Sequence, residues 1–374
     1  MTNTKLKNII TSAVFILIIA SLSLACLFHT PNSYSDSERR KLEQFPELTL
    51  ENVFSGKFFE KFEKYAADQF PMREGFRSLK SVSRFYLLGR QENNGIYISD
   101  GVAVKKETEI NADRVASNVK LWQNICNKYF PDANVYFSII PDKNYYASGN
   151  KYPHYDYSEF MNIVSSNAPA HSNYIDIFDS LTISDYYHTD IHWKQESIYG
   201  IAAKLATAMG TKIDPEDSYR IEDLGDFYGV YYGQSALPLS PDKLNVLKNN
   251  TTENAKVYLY GYKDNAYFKD ETVVYSPDDM DSSDRYDIFL SGPESLVEII
   301  NPNNKNGKTL FIFRDSFGSS ISPLLISGYE RIVLVDTRYM ASALLSDPQL
   351  GLNMEATDVL FLYTTTTLND TVMR

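Results

Sequence analysis

The stretch from Thr309 to Val335 leaves the fewest options for the fold of this chain. Leu310 to Phe313 has the composition of a short buried strand, and Arg314 to Ser320 reads as the turn that follows it. Ile321 to Tyr329 is an apolar helical stretch, and Arg331 to Val335 is a second strand. Strand, helix and strand in so short a span form a βαβ unit, which commits its sheet to parallel strands. Asn134 to Ile140 and Thr357 to Tyr363 read as further buried strands, so the chain is read as an α/β protein.

The turn of that unit carries Ser316. A serine at the carboxyl end of a strand and before a helix can use turn amides and the helix dipole to stabilise an oxyanion. A partner for it stands upstream in His188-Thr189-Asp190-Ile191-His192-Trp193, which sets an aspartate and a histidine two residues apart. A helix is predicted over 194–209, because Ile198, Ile201, Ala202, Leu205, Ala206 and Met209 recur at three- and four-residue steps and Gly210 stands ready to end it. Lys143, in the turn Pro141-Asp142-Lys143-Asn144 after the strand at 134–140, would reach the same carboxyl edge if the strands are parallel.

Three readings of these residues stay open at this point. Ser316, His192 and Asp190 can form a hydrolase-like triad, with the imidazole as base and the carboxylate orienting it. His188, Asp190 and His192 can instead close on zinc if the segment is extended. In the third reading the chain is not an enzyme and the same residues serve an anchored glycan-binding or scaffolding protein.

The N-terminus constrains location. Lys5 and Lys7 precede a run from Ile9 to Phe28 that is uncharged and about as long as a bilayer-spanning helix. An uncleaved anchor is the preferred reading over a cleaved signal or a lipidated Cys26, whose Leu24-Ala25-Cys26 has Ser23 where a leucine is usual in lipoproteins. Cys126 is the one cysteine outside that run, so the body does not depend on an internal disulfide, and its place in a helix predicted over 113–129 makes it a buried core thiol. The formal net charge of −12 and the absence of a basic cluster argue against nucleic-acid binding.

Three regions are expected: an anchor or signal over 1–30, a juxtamembrane helical region with a small hairpin over 31–110, and the α/β domain over 111–374. In the second region Phe54, Phe58, Phe59, Phe62 and Tyr65 fall at helical spacing, predicting a helix that stops near Asp68-Gln69-Phe70-Pro71 and docks on the body. The turns Asn93-Asn94-Gly95 and Asp100-Gly101 bracket Ile96-Tyr97-Ile98 and predict the hairpin. Between Met209 and Asn301 the pattern is less regular, although Tyr258, Tyr260 and Tyr262 would share one face of a strand over 257–262.

Thr189-Asp190-Ile191-His192-Trp193 resembles the signature of bacterial DHHW proteins and of the related alginate O-acetylation proteins of the AlgX and AlgJ type. The likeness continues in the same order through Arg39 to Phe45, Asp68 to Arg73, Asn94 to Tyr97, Asp315-Ser316-Phe317 and Asp336 to Tyr339, nearly the whole chain after the anchor. Ile191 replaces the first histidine of the DHHW name, and Arg314 replaces the glycine of the Gly-Asp-Ser usual in SGNH esterases. The resemblance implies an SGNH-hydrolase-like (flavodoxin-like) α/β domain outside the cytoplasmic membrane, with a mainly parallel sheet flanked by helices. It implies Ser316 as nucleophile, His192 as base and Asp190 as orienting acid; Arg314, Asp315, Lys143 and Arg338 are read beside them as substrate or oxyanion-site candidates. It further implies a cell-surface or exported polysaccharide as substrate and a membrane-bound acyltransferase as acetyl donor; no metal or cofactor is expected. Acetyl transfer and acetylester hydrolysis share the covalent intermediate, so both remain expected activities.

Overall fold

The computed structural model describes residues 3–147, 152–263, 266–282 and 284–374. The chain forms two units, one of residues 1–94 with 232–238 and one of residues 95–231 with 239–374.

In the first unit, helix α1 (Asn3–Phe28) contains a stretch, Thr4–Cys26, with mean hydropathy 2.5, long and apolar enough to cross a membrane. Helices α2 (Lys57–Asp68) and α3 (Arg73–Val82) follow. The aromatic stripe closes locally, with the Phe45 ring 5.3 Å from Tyr65 and 6.0 Å from Phe62. No residue of α2 is buried, so the stripe makes a small aromatic cluster and not the buried face that its spacing predicts. Asp68 ends α2 as an ion-pair centre, accepting from Arg40 at 2.8 Å and from the Glu43 amide at 2.9 Å.

The second unit opens with the expected hairpin, β1 (Ile96–Ser99) against β2 (Val102–Lys105). Asp100 and Gly101 both adopt positive φ, 50° and 83°, as a two-residue hairpin turn requires. Helix α4 (Ala112–Tyr129) leads to β3 (Asn134–Ile140), and α5 (Tyr157–Asn167) to β4 (Ser172–Tyr174). After helix α6 (Tyr199–Ala208) come an antiparallel pair, β5 (Arg220–Phe227) with β6 (Asp242–Lys248), and then β7 (Lys256–Lys263), β8 (Ala266–Thr272) and β9 (Leu296–Ile300). The βαβ unit is β10 (Thr309–Arg314), α7 (Phe317–Leu325) and β11 (Arg331–Val335), and β12 (Asp358–Thr364) is the last strand.

Among the described residues the central sheet has eight strands in the order β8-β7-β9-β11-β10-β12-β3-β4. From β11 to β4 every neighbouring pair is parallel. The other end, β9, β7 and β8, is antiparallel and is built from the region whose sequence pattern is least regular. The central strands are apolar on both faces because helices cover both. Leu310, Ile312, Leu334 and Leu360 face α6 and α7, whereas Phe311, Phe313, Val333 and Phe361 face α4 and α5. Trp122 stacks on Phe361 at 4.9 Å, and Cys126 beside it is buried, which pushes its thiol pKa up to about 12.

Two helix boundaries differ from the sequence expectation. The helix predicted from residue 194 begins at Tyr199, preceded by a short 3-10 turn over Gln195–Ser197. Gln195 is fully buried and takes tertiary partners there, which holds the segment away from α geometry. The helix after Ser316 begins at once, at Phe317 and not at Ile321, because the Asp315 carboxylate accepts from the Phe317 amide at 3.1 Å. Ser316 is therefore the N-cap residue of α7, held between strand and helix.

Phe361 is fully buried and touches Trp122 and Phe313. Phe361→Ala is expected to remove about 3–5 kcal/mol of unfolding free energy. Urea denaturation followed by tryptophan fluorescence measures it, and a loss under about 1 kcal/mol would contradict this packing.

Candidate active site

The loop from Tyr186 to Trp193 is pinned at its base and along its length. Tyr186 and Trp193 form an isolated antiparallel bridge, and the Tyr187 amide donates to the His192 carbonyl at 3.0 Å. Asp242, at the start of β6, then accepts from the amides of His188 (2.7 Å) and Thr189 (2.8 Å) and from the Thr189 hydroxyl (2.6 Å). The Ala103 amide of β2 donates to the His188 carbonyl at 2.8 Å. His188 and Thr189 are thus held by groups from two other elements, and Asp190 beyond them lies fully inside the protein.

Asp190 is used at both oxygens. Oδ1 lies 2.5 Å from His192 Nδ1 and accepts from the His192 amide at 3.0 Å, while Oδ2 accepts from the Val230 amide at 2.8 Å. The chain at 229–230 reaches the carboxylate because residue 229 is glycine: a Cβ there would sit 2.1 Å from Asp190 Cβ. A buried acceptor at Nδ1 holds that nitrogen in its protonated form, leaving Nε2 to accept. Nε2 lies 2.7 Å from Ser316 Oγ.

The imidazole is also fixed in plane. Tyr286 stacks on it at 3.8 Å with 8° between the rings, and Phe317 closes a second side at 4.8 Å. The next residues tie this segment to α7: Trp193 Nε1 donates to Ser320 Oγ at 2.8 Å, and Gln195 Nε2 donates to the Ser320 carbonyl at 2.7 Å. Tyr286 donates its hydroxyl to the same Ser320 Oγ at 2.7 Å. The tryptophan of the Asp-x-His-Trp motif thus sets the register between the histidine segment and the serine helix. Asp190 is 0% exposed and His192 5%, while Ser316 is half-buried, so the chain of groups opens outward at the hydroxyl.

The remaining candidates are engaged by other groups of the protein. Arg314 is fully buried and donates to the carbonyls of Asp315 and Glu294, with Asp336 at 3.5 Å; burial draws its pKa down. The Asp315 carboxylate accepts from Phe317 and, at 2.8 and 2.7 Å, from the amide and hydroxyl of Thr364. Lys143 is buried too, donating to the Ala103 carbonyl at 2.9 Å over the Tyr231 ring at 5.1 Å. Burial pulls its pKa down to about 7, against the opposing pull of Asp190 and Asp242. Arg338 is spent on Asp336 at 2.6 Å, with its side chain 17% exposed. The zinc alternative loses its geometry: His188 turns outward, half exposed, with Nδ1 3.4 Å from Asp242, while His192 faces Ser316. Among the described residues no cluster of three His, Cys, Asp or Glu is gathered as metal ligands are.

Sequence reasoning missed Asp242, Gly229, Val230, Tyr286 and Ser320. Their partners lie 34 to 127 positions away, at Ser320 from Tyr286 and from Trp193, with Asp242 and Val230 at intermediate separations. Gly229, two residues past the end of β5, is a local signal of a close backbone approach.

Residues 177–335 match the family model described as DHHW protein, a span that contains Asp190, His192 and Ser316. Among solved structures, a DHHW family protein from Eubacterium siraeum is similar over 74% of this chain and 93% of its own, at 21% identity and a TM-score of 0.58. Bacillus cereus PatB1 with a sulfonyl adduct is similar over 73% of this chain and 96% of its own, at 16% identity and a TM-score of 0.57. The O-acetyltransferase domain of Pseudomonas putida AlgJ is a more distant likeness, at 12% identity over 74% of this chain and 93% of its own, with a TM-score of 0.40. No curated protein sequence matches. At these identities the first two likenesses speak for a shared fold alone.

Gly229→Ala is expected to push Asp190 off His192 Nδ1, since the new methyl cannot share space with the Asp190 side chain. The Nδ1 proton of His192 in NMR spectra, shifted downfield by a short bond to a buried carboxylate in the parent, should lose that shift; an unchanged resonance would show that the two backbones separate freely.

Proposed function

We propose that this chain is an extracytoplasmic O-acetyltransferase that modifies a cell-envelope or exported polysaccharide through an acetyl ester on Ser316. The observation that carries the reading is the unbroken line from Asp190 Oδ1 through His192 to Ser316 Oγ, at 2.5 and 2.7 Å, with its buried end at the acid and its open end at the hydroxyl. That line can do one thing well. His192 Nε2 takes the Ser316 proton as Oγ bonds to the acyl carbon, and Asp190 stabilises the imidazolium that results. The proton then leaves with the departing group of the donor. In the second half, a sugar hydroxyl gives its proton to His192 as its oxygen takes the acyl carbon, and the proton returns to Ser316.

The similarity to PatB1 with a sulfonyl adduct and to the AlgJ O-acetyltransferase domain supports this chemistry. The apolar helix α1 supports a body tethered to a membrane, and in this reading a membrane-bound acyltransferase supplies the acetyl group. Water in place of the sugar would make the same site an acetylesterase, so the acceptor defines the activity.

Intact-mass analysis after incubation with p-nitrophenyl acetate tests the nucleophile. The wild-type chain should gain one acetyl group or turn the ester over, and Ser316→Ala should lower the rate by at least about 10³-fold. An equal rate in the variant would sink the assignment. Adding acetyl-free polysaccharide should move the acetyl group to glycan in preference to water; release as acetate alone would make the chain an esterase. The rate of acylation should rise with pH through one ionisation, because only the neutral imidazole of His192 accepts the proton, and a flat profile there would remove it as base.

A further inference from the structure

We propose that the aromatic face of helix α2 is a membrane-contacting surface, which lies in the lipid interface beside the point where α1 leaves the bilayer. The proposal rests on the reading of α1 as a tether and is independent of the acetyl chemistry. Its basis is a cluster that the first unit leaves uncovered. The rings of Phe45, Phe58, Phe59, Phe62 and Tyr65 form one contiguous group, with neighbouring centroids 5.3 to 6.3 Å apart. Packing against one another does not hide them: Phe59 is 60% exposed, Phe45 59% and Phe62 40%. Leu50 and Phe54, just before α2, are more exposed still. A contiguous apolar patch of this kind marks an interaction surface.

The hydrogen bonds at the base of the cluster tie it to the end of α1. Gln69, the residue after α2, donates to the Asn32 carbonyl and accepts from the Asn32 amide, both at 2.9 Å. Gln44, directly before Phe45, donates to the same carbonyl at 2.9 Å. Tyr65 stands one helical turn before Gln69, whose amide donates to the Tyr65 carbonyl at 2.8 Å. Asn32 follows the last residue of α1, Phe28, by four positions, which the chain can stretch to about 14 Å at most. The polar layer of a bilayer is roughly 5–8 Å deep on each side, and α2 is about 18 Å long. A membrane crossed by α1 therefore has its surface within reach of the rings.

The make-up of α2 suits that surface. Away from the rings it carries Lys57, Lys61 and Lys64, and Lys64 pairs with Glu60 at 2.9 Å. A helix with aromatic side chains on one face and lysines on the other lies along a lipid surface, rings toward the acyl chains and ammonium groups toward water and phosphate. A second copy of this chain could cover the same face only by bringing its own tether alongside, whereas lipid is already next to the first.

The test places a tryptophan in the cluster of the full chain, Phe59→Trp, reconstituted in vesicles of phosphatidylethanolamine and phosphatidylglycerol. Trp122 and Trp193 are both buried in the second unit, at 1% and 0% exposure, so they give a constant background. Lipids brominated high on the acyl chain carry the quencher at the depth of about 5–10 Å where an interfacial helix buries its apolar face, and they should lower the emission of the added tryptophan about twofold or more. Lys64→Trp, on the polar side of the helix, should be quenched far less. Flotation of the chain with the vesicles reports the tether separately. A chain that floats but whose added tryptophan is unquenched overturns the proposal and leaves the tether standing. Aqueous iodide then says what is there instead: emission shielded from iodide means a second copy of this chain covers the rings, and emission open to it means the face is left to water or to a protein partner. A chain that does not float overturns the tether and the proposal together. If Phe59→Trp does not fold, Phe54→Trp, at a side chain 86% exposed, carries the same measurement with the same outcomes.

Discussion

The hydrogen bond from Ser316 Oγ to His192 Nε2 joins residues 124 positions apart, and the architecture around it exists to bring and keep them within reach. Neither residue could be held by its own segment. Ser316 is fixed because a parallel strand ends beneath it and a helix starts immediately after it. His192 is fixed because Trp193 and Gln195 bond to Ser320 on that same helix, so any movement of the helix carries the imidazole with it. The two halves of the site share a frame, which is what reactivity between distant residues requires.

A second theme is the number of buried polar groups at the carboxyl edge of the sheet and how fully each is engaged. Asp315 is occupied by Phe317 and Thr364, Asp142 by two tyrosines and a threonine, and Asp336 by Arg338 with Arg314 close by. Such groups are costly when left unpaired and rigid when paired. Arg314 is buried among them, with its Nε left without a hydrogen-bond partner. Its side chain runs inward to neighbouring carbonyls and Asp336, a strut beneath the serine turn.

The elements that the sequence made legible are those whose information is local. The strands at 134–140, 309–314, 331–335 and 358–364 show as apolar runs because helices cover both faces of the sheet. The hairpin at 96–105 shows because Asp100-Gly101 can take positive φ at both positions. Boundaries were less legible where side-chain bonds override propensity: Gln195 delays one helix by taking distant partners, and the Asp315 carboxylate satisfies the first amide of another. The antiparallel end of the sheet escaped a full reading because β7 and β8 are only half-buried, so their pattern is blurred.

For the site, the sequence by itself determined the chemical types: an aspartate and a histidine two residues apart, a serine between strand and helix, and a tryptophan directly after the histidine. Side chains two residues apart can bond whatever the fold does elsewhere, and a serine in a strand-to-helix turn is exposed by local geometry. Tertiary structure alone decided that Ser316 meets His192, that Asp242, Gly229 and Tyr286 hold the acid and the ring, and that Arg314 and Lys143 turn inward. Those outcomes depend on burial and on pairings across many tens of residues, and a free energy shared among distant groups leaves no pattern in any short stretch of chain.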